Sequence, residues 1–263
     1  MALSNWFWLV WFSFLLSSTD SSDVQLISVG SDFNCHYQPE QLYDAMQKHE
    51  KLYLSNDFVI QSLKVKNAQT HLVGGYDDCT DINNGILSEQ RSIISGNQES
   101  VAVAINAQSN QSVTLENFEI RGGHSKEAGG IAVINAQSLT VINSWIYQNI
   151  SLGSGGGIHL MGDVIEFNLL NSKIFHNHSM IDGGGIAVSG NSNLINLIDS
   201  EVFANKAVHA GGGINCFNNN HITLSSTKKT VNAVISKNKA SIGDNLYYAL
   251  TCQFFMGKDV LKI

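Results

Sequence analysis

Four blocks of the chain repeat a glycine corner followed by an isoleucine. They are GGIAV at Gly129–Val133, GGIHL at Gly156–Leu160, GGIAV at Gly184–Val188 and GGINC at Gly212–Cys216. Their isoleucines, Ile131, Ile158, Ile186 and Ile214, recur at almost equal steps. A looser copy, GDNLYY, places Leu246 one slightly longer step on, and the extra length is assigned to a loop within FNNNHITLSSTKKT. A second motif keeps the same step: SWIYQN, SKIFHN, SEVFAN and VISKN end at Asn149, Asn177, Asn205 and Asn238. Between the motifs, Leu139 and Val141, Phe167 and Leu169, and Ile195 and Leu197 alternate with polar residues. Alternation at period two is the pattern of a half-buried strand.

A repeat of this length is one structural unit that cannot bury its own apolar face, so it must stack. Three short strands per period predict an all-β fold, a right-handed, single-stranded parallel β-helix with about 28 residues per coil and about seven coils. The isoleucines form one inward column, with Val133, Leu160, Val188 and Cys216 two residues on. The turns at Gly130, Gly157, Gly185 and Gly213 need close backbone approach. Asn149, Asn177, Asn205 and Asn238 are expected to stack as a side-chain ladder. Tyr147, Phe175 and Phe203 align as an aromatic column that ends at Ser236. A leucine-rich repeat shares the period, but the LxxLxLxxN frame and a helical half are missing.

The rest of the chain divides around this array. Trp6 to Leu16 is an apolar run followed by small residues, the pattern of a signal peptide over 1–19. It is too short to span a bilayer comfortably, and no second such run follows, so no membrane span is expected in the mature chain. Residues 20–80 are read as an N-terminal cap and the first coils. Within them PEQLYDAMQK, Pro39–Lys48, has helix spacing and is expected to cap the first coil. The β-helix proper is assigned to 81–250, and 251–263 to a C-terminal tail or truncated end. Net charge is −7 and only Arg91 and Arg121 are arginines, which argues against nucleic acid and against a basic membrane patch.

These coils resemble those of secreted bacterial right-handed parallel β-helix proteins of the pectate-lyase-like superfold. The GGGI and FxN coils are similar to the repeats of polymorphic outer-membrane proteins, although Phe175-His176-Asn177 has the shorter spacing. The segment VGSDFNCHYQPEQLYDAMQ, followed by LVGGYDDCTD, looks like the entry of such exported proteins. The resemblance implies a disulfide between Cys35 and Cys79, and a secreted, periplasmic or cell-surface location. Cys216, in an inward column, is read as a buried thiol, and Cys252 has no assigned role.

The superfold hosts lyases, hydrolases, adhesins and structural proteins, so chemistry must be argued from residues. The NTD and GHG motifs of polygalacturonase-like enzymes are absent, and GGH at Gly122–His124 has no carboxylates aligned with it. Asp199 and Glu201 are the only catalytic candidates raised, two apart on one strand. An ion pair of Glu201 with Lys173 one coil below is the simpler account. His124, His178 and His209 fall in comparable turns but skip a coil, so no metal site and no cofactor are expected. Two sequons, Asn149-Ile150-Ser151 and Asn177-His178-Ser179, are taken as products of the ladder. The favoured function is a noncatalytic surface protein, adhesive, carbohydrate-contacting or structural, whose partner is a polysaccharide or a host or cell-surface ligand. The alternative is a polysaccharide lyase or glycoside hydrolase.

Overall fold

The computed structural model describes residues 26–162, 164–191, 193–227, 234–248 and 251–256. The chain winds into a parallel β-solenoid of about eight turns, one more than the repeat count predicts. Upstream of the glycine repeat, strands form without its signature.

Each full coil passes through three faces and a short ribbon. Face A begins at Ser28–Val29 and Lys51–Ser55 and continues through Thr70–Tyr76, Ser112–Glu116, Val164–Leu170, Leu194–Ile198 and His221–Ser225 to Gln253–Met256. Among the described residues, face B holds seven strands, Val59–Gln61, Ser92–Ser95, Phe118–Arg121, Trp145–Tyr147, Lys173–Phe175, Glu201–Phe203 and Val234–Ser236. Face C contains Leu63–Lys66, Val103–Asn106, Ile158–Leu160, Ile186–Val188, Ile214–Cys216 and Leu246–Tyr248. The strand Ile131–Ile142 runs unbroken through the corner and serves both C and A. A four-stranded ribbon, D, of His124–Ser125, Ile150–Ser151, His178–Ser179 and Lys206–Ala207, lies between B and C. The sequence reading placed turns there.

The register follows the repeat. Ile131 pairs with Ile158, Ile158 with Ile186, Ile186 with Ile214, and Ile214 with Leu246. The four isoleucines are fully buried, as are Phe167, Ile195 and Leu197 to within one per cent. The core is thus a set of columns along the axis, in which each aliphatic side chain rests on its counterpart one coil away.

Corners demand unusual backbone, and the chain supplies it with asparagine and glycine. Between A and B, Asn117, Asn143, Asn171 and Asp199 take left-handed φ of 62°, 46°, 48° and 50°. A short polar side chain tolerates this region because it can bond locally. Asn143 Nδ2 donates to Asn117 Oδ1 at 2.6 Å. The residues after them form a hydroxyl ladder: Ser172 Oγ accepts from the Ser144 amide at 3.0 Å, and Ser200 Oγ from the Ser172 amide at 3.1 Å. In the GGG corner, Gly183 has φ +62°, and a Cβ there would collide with the Ile186 carbonyl oxygen. A Cβ on its neighbour Gly184 would collide with the Gly212 oxygen of the next coil, so stacking itself excludes a side chain.

The N-terminal end is closed by the 3-10 turn Pro39–Gln41 and the helix Leu42–Lys48, whose Leu42, Ala45 and Met46 are buried on the first coil. A second helix, Cys79–Asn84, was missed by periodicity but has clear ends. Asp78 accepts the Asp81 amide at its start, and Gly85 is left-handed at its close. Cys35 and Cys79 are joined there as a disulfide.

Two readings of the C-terminal third need correction. Cys216 is not a free thiol: it is bonded to Cys252, 36 residues on. The inward column delivers Cys216 to the core of one coil, and Cys252 enters that core just before the last rung of face A. The tail assigned from residue 251 supplies that rung, Gln253–Met256, paired with His221–Ser225. The stretch FNNNHITLSSTKKT opens with a face A strand over His221–Ser225, and its extra length falls between Ser225 and Val234, where residues 228–233 lie outside the described residues. The signal-peptide reading of 1–19 lies outside the described residues.

Candidate functional site

The aromatic column on face B looks at first like a sugar-binding stripe. Tyr147 and Phe175 are stacked at 5.0 Å and 6°, Phe175 and Phe203 at 5.2 Å and 3°. Stacked this closely, the rings cover one another's faces and leave mainly edges to solvent. Sugar stacking uses faces, so this column works chiefly as an outer brace of the coils. Trp145 is likewise covered on one face by the Arg91 guanidinium, 4.2 Å from the ring centroid. Arg91 also donates from Nε to the Asn143 carbonyl at 2.7 Å, tying two coils together.

Below Tyr147 the column continues as Arg121 and Ser95, and here the surface changes. A cleft of about 440 Å³ is lined by Ser95, Asn97, Gln98, Arg121, His124 and Gln148 with the backbone of Gly122 and Gly123 and the Ile150 side chain. Its shape follows from the B–D corner. Asn97, Gln98 and Gln148 have left-handed φ of 51°, 58° and 53°, and Gly122 has +64°. These corners push the amide side chains outward. The floor is fixed by the asparagine ladder, because the Gly123 amide donates to Asn149 Oδ1 at 2.9 Å. The rim is fixed by the Gln98 amide bonding to the Gly122 oxygen at 2.7 Å and the His124 amide to the Ser100 oxygen at 2.8 Å.

Among the described residues, the side-chain amides of Asn97, Gln98 and Gln148 have no protein partner. The Arg121 Nε is 3.9 Å from Glu119 Oε2, a loose ion pair that leaves most of the guanidinium's donors unused. Glu119 is held instead by the Tyr147 hydroxyl, which donates to its Oε2 at 2.6 Å. Burial, reinforced by this bond to a carboxylate, pushes the Tyr147 hydroxyl up to about 12. The cleft therefore offers amide donors and acceptors, one cation and a histidine, and its lining contains no carboxylate.

The candidates raised from sequence fall elsewhere. Asp199 sits at the A–B corner and accepts from the Ser226 hydroxyl at 2.7 Å and the Thr227 amide at 3.0 Å. Glu201 lies outward on face B and pairs with Lys173 Nζ at 3.0 Å. The two carboxylates serve separate partners. His209 Nδ1 bonds to Asp182 Oδ1 at 2.7 Å, while His178 and His124 occupy different rungs of ribbon D. Among the described residues, no group of three or more His, Cys, Asp or Glu side chains converges on a metal-sized site. Asn149, Asn177, Asn205 and Asn238 form one continuous buried ladder, each Nδ2 donating to the next Oδ1 at 3.0–3.1 Å, with Asn238 bonded to Asn245. Asn149 and Asn177 are buried to within one per cent, so neither of these two asparagines is open to modification in the folded chain. Gly130, Gly157, Gly185 and Gly213 lie at the stacked corner, where each amide but that of Gly213 bonds to a glycine carbonyl of the neighbouring coil.

A second ladder went unread: Asn193 Oδ1 accepts from Val164 N at 2.9 Å and Asn220 Oδ1 from Asn193 N at 2.8 Å, at the C–A corner. The cleft was half legible. Arg121 and GGH stood out, whereas Asn97, Gln98 and Gln148 carried no motif beyond their place at corners. No family model, curated protein or solved structure matches the chain.

Proposed function

We propose that the protein is a secreted or surface-exposed, noncatalytic β-helix module that binds carbohydrate at the B–D corner cleft. The observation that carries this reading is the lining: three unpartnered side-chain amides beside an arginine with spare donors, in a recess large enough for one or two sugar rings. Planar amides and guanidinium match sugar hydroxyls, and Arg121 suits a sugar bearing a carboxylate or sulfate. Hydrolysis of a glycosidic bond uses two carboxyl groups about 5–10 Å apart, and the cleft lining presents none. Two disulfides fit an oxidising compartment. No helix of the described residues is long and apolar enough to cross a membrane. The resemblance of the coils to polymorphic outer-membrane repeats supports display at a surface.

The test is a glycan array run beside reducing-sugar and unsaturated-product assays. Binding to acidic glycans without product supports the module, and Arg121→Ala should reduce that binding at least tenfold. Release of product would establish the lyase or hydrolase alternative.

A further inference from the structure

Ribbon D carries a surface that neither the fold nor the cleft explains. Its residues alternate, so positions two apart share the outward side while Ser151, Ser179 and Ala207 point in and are buried. One outward column runs His124, Ile150, His178, Lys206 and Lys239, in direct register. The next runs Lys126, Leu152, Met180 and Val208, tied by amide bonds from Leu152 to Ser125, Met180 to Ser151 and Val208 to Ser179. Beside it, Ile181 and Ile242 extend the row.

Five large aliphatic side chains in this strip stand well out of the protein. Leu152 is 45% exposed, Met180 44%, Ile181 48%, Val208 48% and Ile242 48%, and Ile150 adds a sixth at 39%. Scattered apolar residues are normal on a surface, but a continuous row across successive coils marks an interaction face. Its charges lean positive, with Lys126, Lys206 and Lys239 against the exposed Glu127. None of Lys126, Lys206 and Lys239 forms an ion pair among the described residues. The neighbouring acids are engaged: Glu127 accepts from Ser125 Oγ at 3.0 Å, and Asp182 from His209 and the Ala210 amide. In a chain of net charge −7, this edge gathers unpaired cations around an aliphatic row.

We propose that ribbon D lies on an anionic lipid surface. The aliphatic row enters the headgroup–acyl boundary, and the lysines engage lipid phosphates on either side. Charge favours this occupant over a second copy of the chain, because the same strip of a second copy brings three further unpaired lysines against the single exposed carboxylate of Glu127. The linear sequence hides the patch, since Lys126, Lys206 and Lys239 lie far apart along the chain and meet only through coiling. The cleft borders the ribbon through His124 and Ile150, so a membrane-bound protein holds it at headgroup level.

The test is co-sedimentation of the full chain with vesicles of phosphatidylcholine containing phosphatidylglycerol, and with pure phosphatidylcholine. These vesicles carry no carbohydrate, so the outcome is independent of the glycan reading. The expected result is binding to the anionic vesicles that weakens at least tenfold in high salt. The triple substitution Leu152→Ser, Met180→Ser, Val208→Ser should lower it at least tenfold, and Lys206→Glu with Lys239→Glu should remove the preference for anionic lipid. All these positions are exposed, and an unchanged urea midpoint certifies folding. Equal partition of the wild type and the triple variant would overturn the proposal. So would a wild-type dimer, in sedimentation equilibrium, that the triple substitution dissolves.

Discussion

Asn177 and Asn205 are joined side chain to side chain, Nδ2 to Oδ1, at 3.0 Å in a site closed to solvent. Asn177 also donates to the Ile146 carbonyl at 2.9 Å, and its Oδ1 accepts both the amide and the Nδ2 of Asn149. One side chain thus satisfies groups in the coils on either side of its own. Replacing it by alanine leaves several buried donors and acceptors unmatched, each costing about 1–3 kcal/mol. Asn177→Ala is therefore expected to lose roughly 3 kcal/mol or more of stability, read from urea unfolding. A loss within the ~0.5 kcal/mol typical of surface substitutions would contradict the ladder's role.

The two disulfides staple opposite ends. Native alkylation should label no cysteine, and mass spectrometry should find Cys35 linked to Cys79 and Cys216 to Cys252. Closing a loop of this length constrains the unfolded chain by about 3–4 kcal/mol in the chain-entropy model. Cys252→Ser should lower stability by up to that amount and free Cys216 for labelling after unfolding.

Glycine substitutions should separate backbone strain from stacking. Gly85 has φ +66° with open space around it, so Gly85→Ala should cost only about 1 kcal/mol. Gly184→Ala must push a Cβ into the carbonyl of the next coil and should prevent accumulation of folded protein. Similar losses for the two would show that coil stacking does not set the requirement.

His159 gives the stability a pH dependence. Its Nδ1 lies 2.6 Å from the Glu127 carbonyl, which can only accept, so Nδ1 carries the proton and Nε2 accepts from the Ser189 hydroxyl at 2.8 Å. Burial pushes the imidazole below its ordinary value, only partly offset by the bond to Glu127. Between the folded value and about 6.5 the unfolded chain binds more protons, so stability falls as pH drops through that window. His159→Gln should flatten this part of the pH profile of the urea midpoint, and an unchanged slope would refute the assignment.

Much of the fold was legible because stacking forces equivalent residues into one environment. Ile131, Ile158, Ile186 and Ile214 must all fill the same column, so their spacing reports the coil. The upstream coils were harder to read. There the corners rest on Gly74, Asn97 and Asn117 without a shared GGG, and face A shifts register between Tyr53 and Ser55. The Cys216–Cys252 bond was hidden because an inward cysteine reads like any small apolar residue until its partner is placed. The cleft was harder still, since Gln148 and Asn97 face a common recess only once successive coils have stacked. Their amides carry no spacing rule that would have paired them.

The central claim is that the B–D corner cleft binds carbohydrate without cleaving it. The most direct measurement is a crystal structure with acidic oligosaccharides. The account predicts an intact oligosaccharide in the cleft, its acidic group on Arg121 and its hydroxyls on the amides of Asn97, Gln98 and Gln148. An empty cleft at saturating ligand, or a cleaved or unsaturated product bound there, would contradict it.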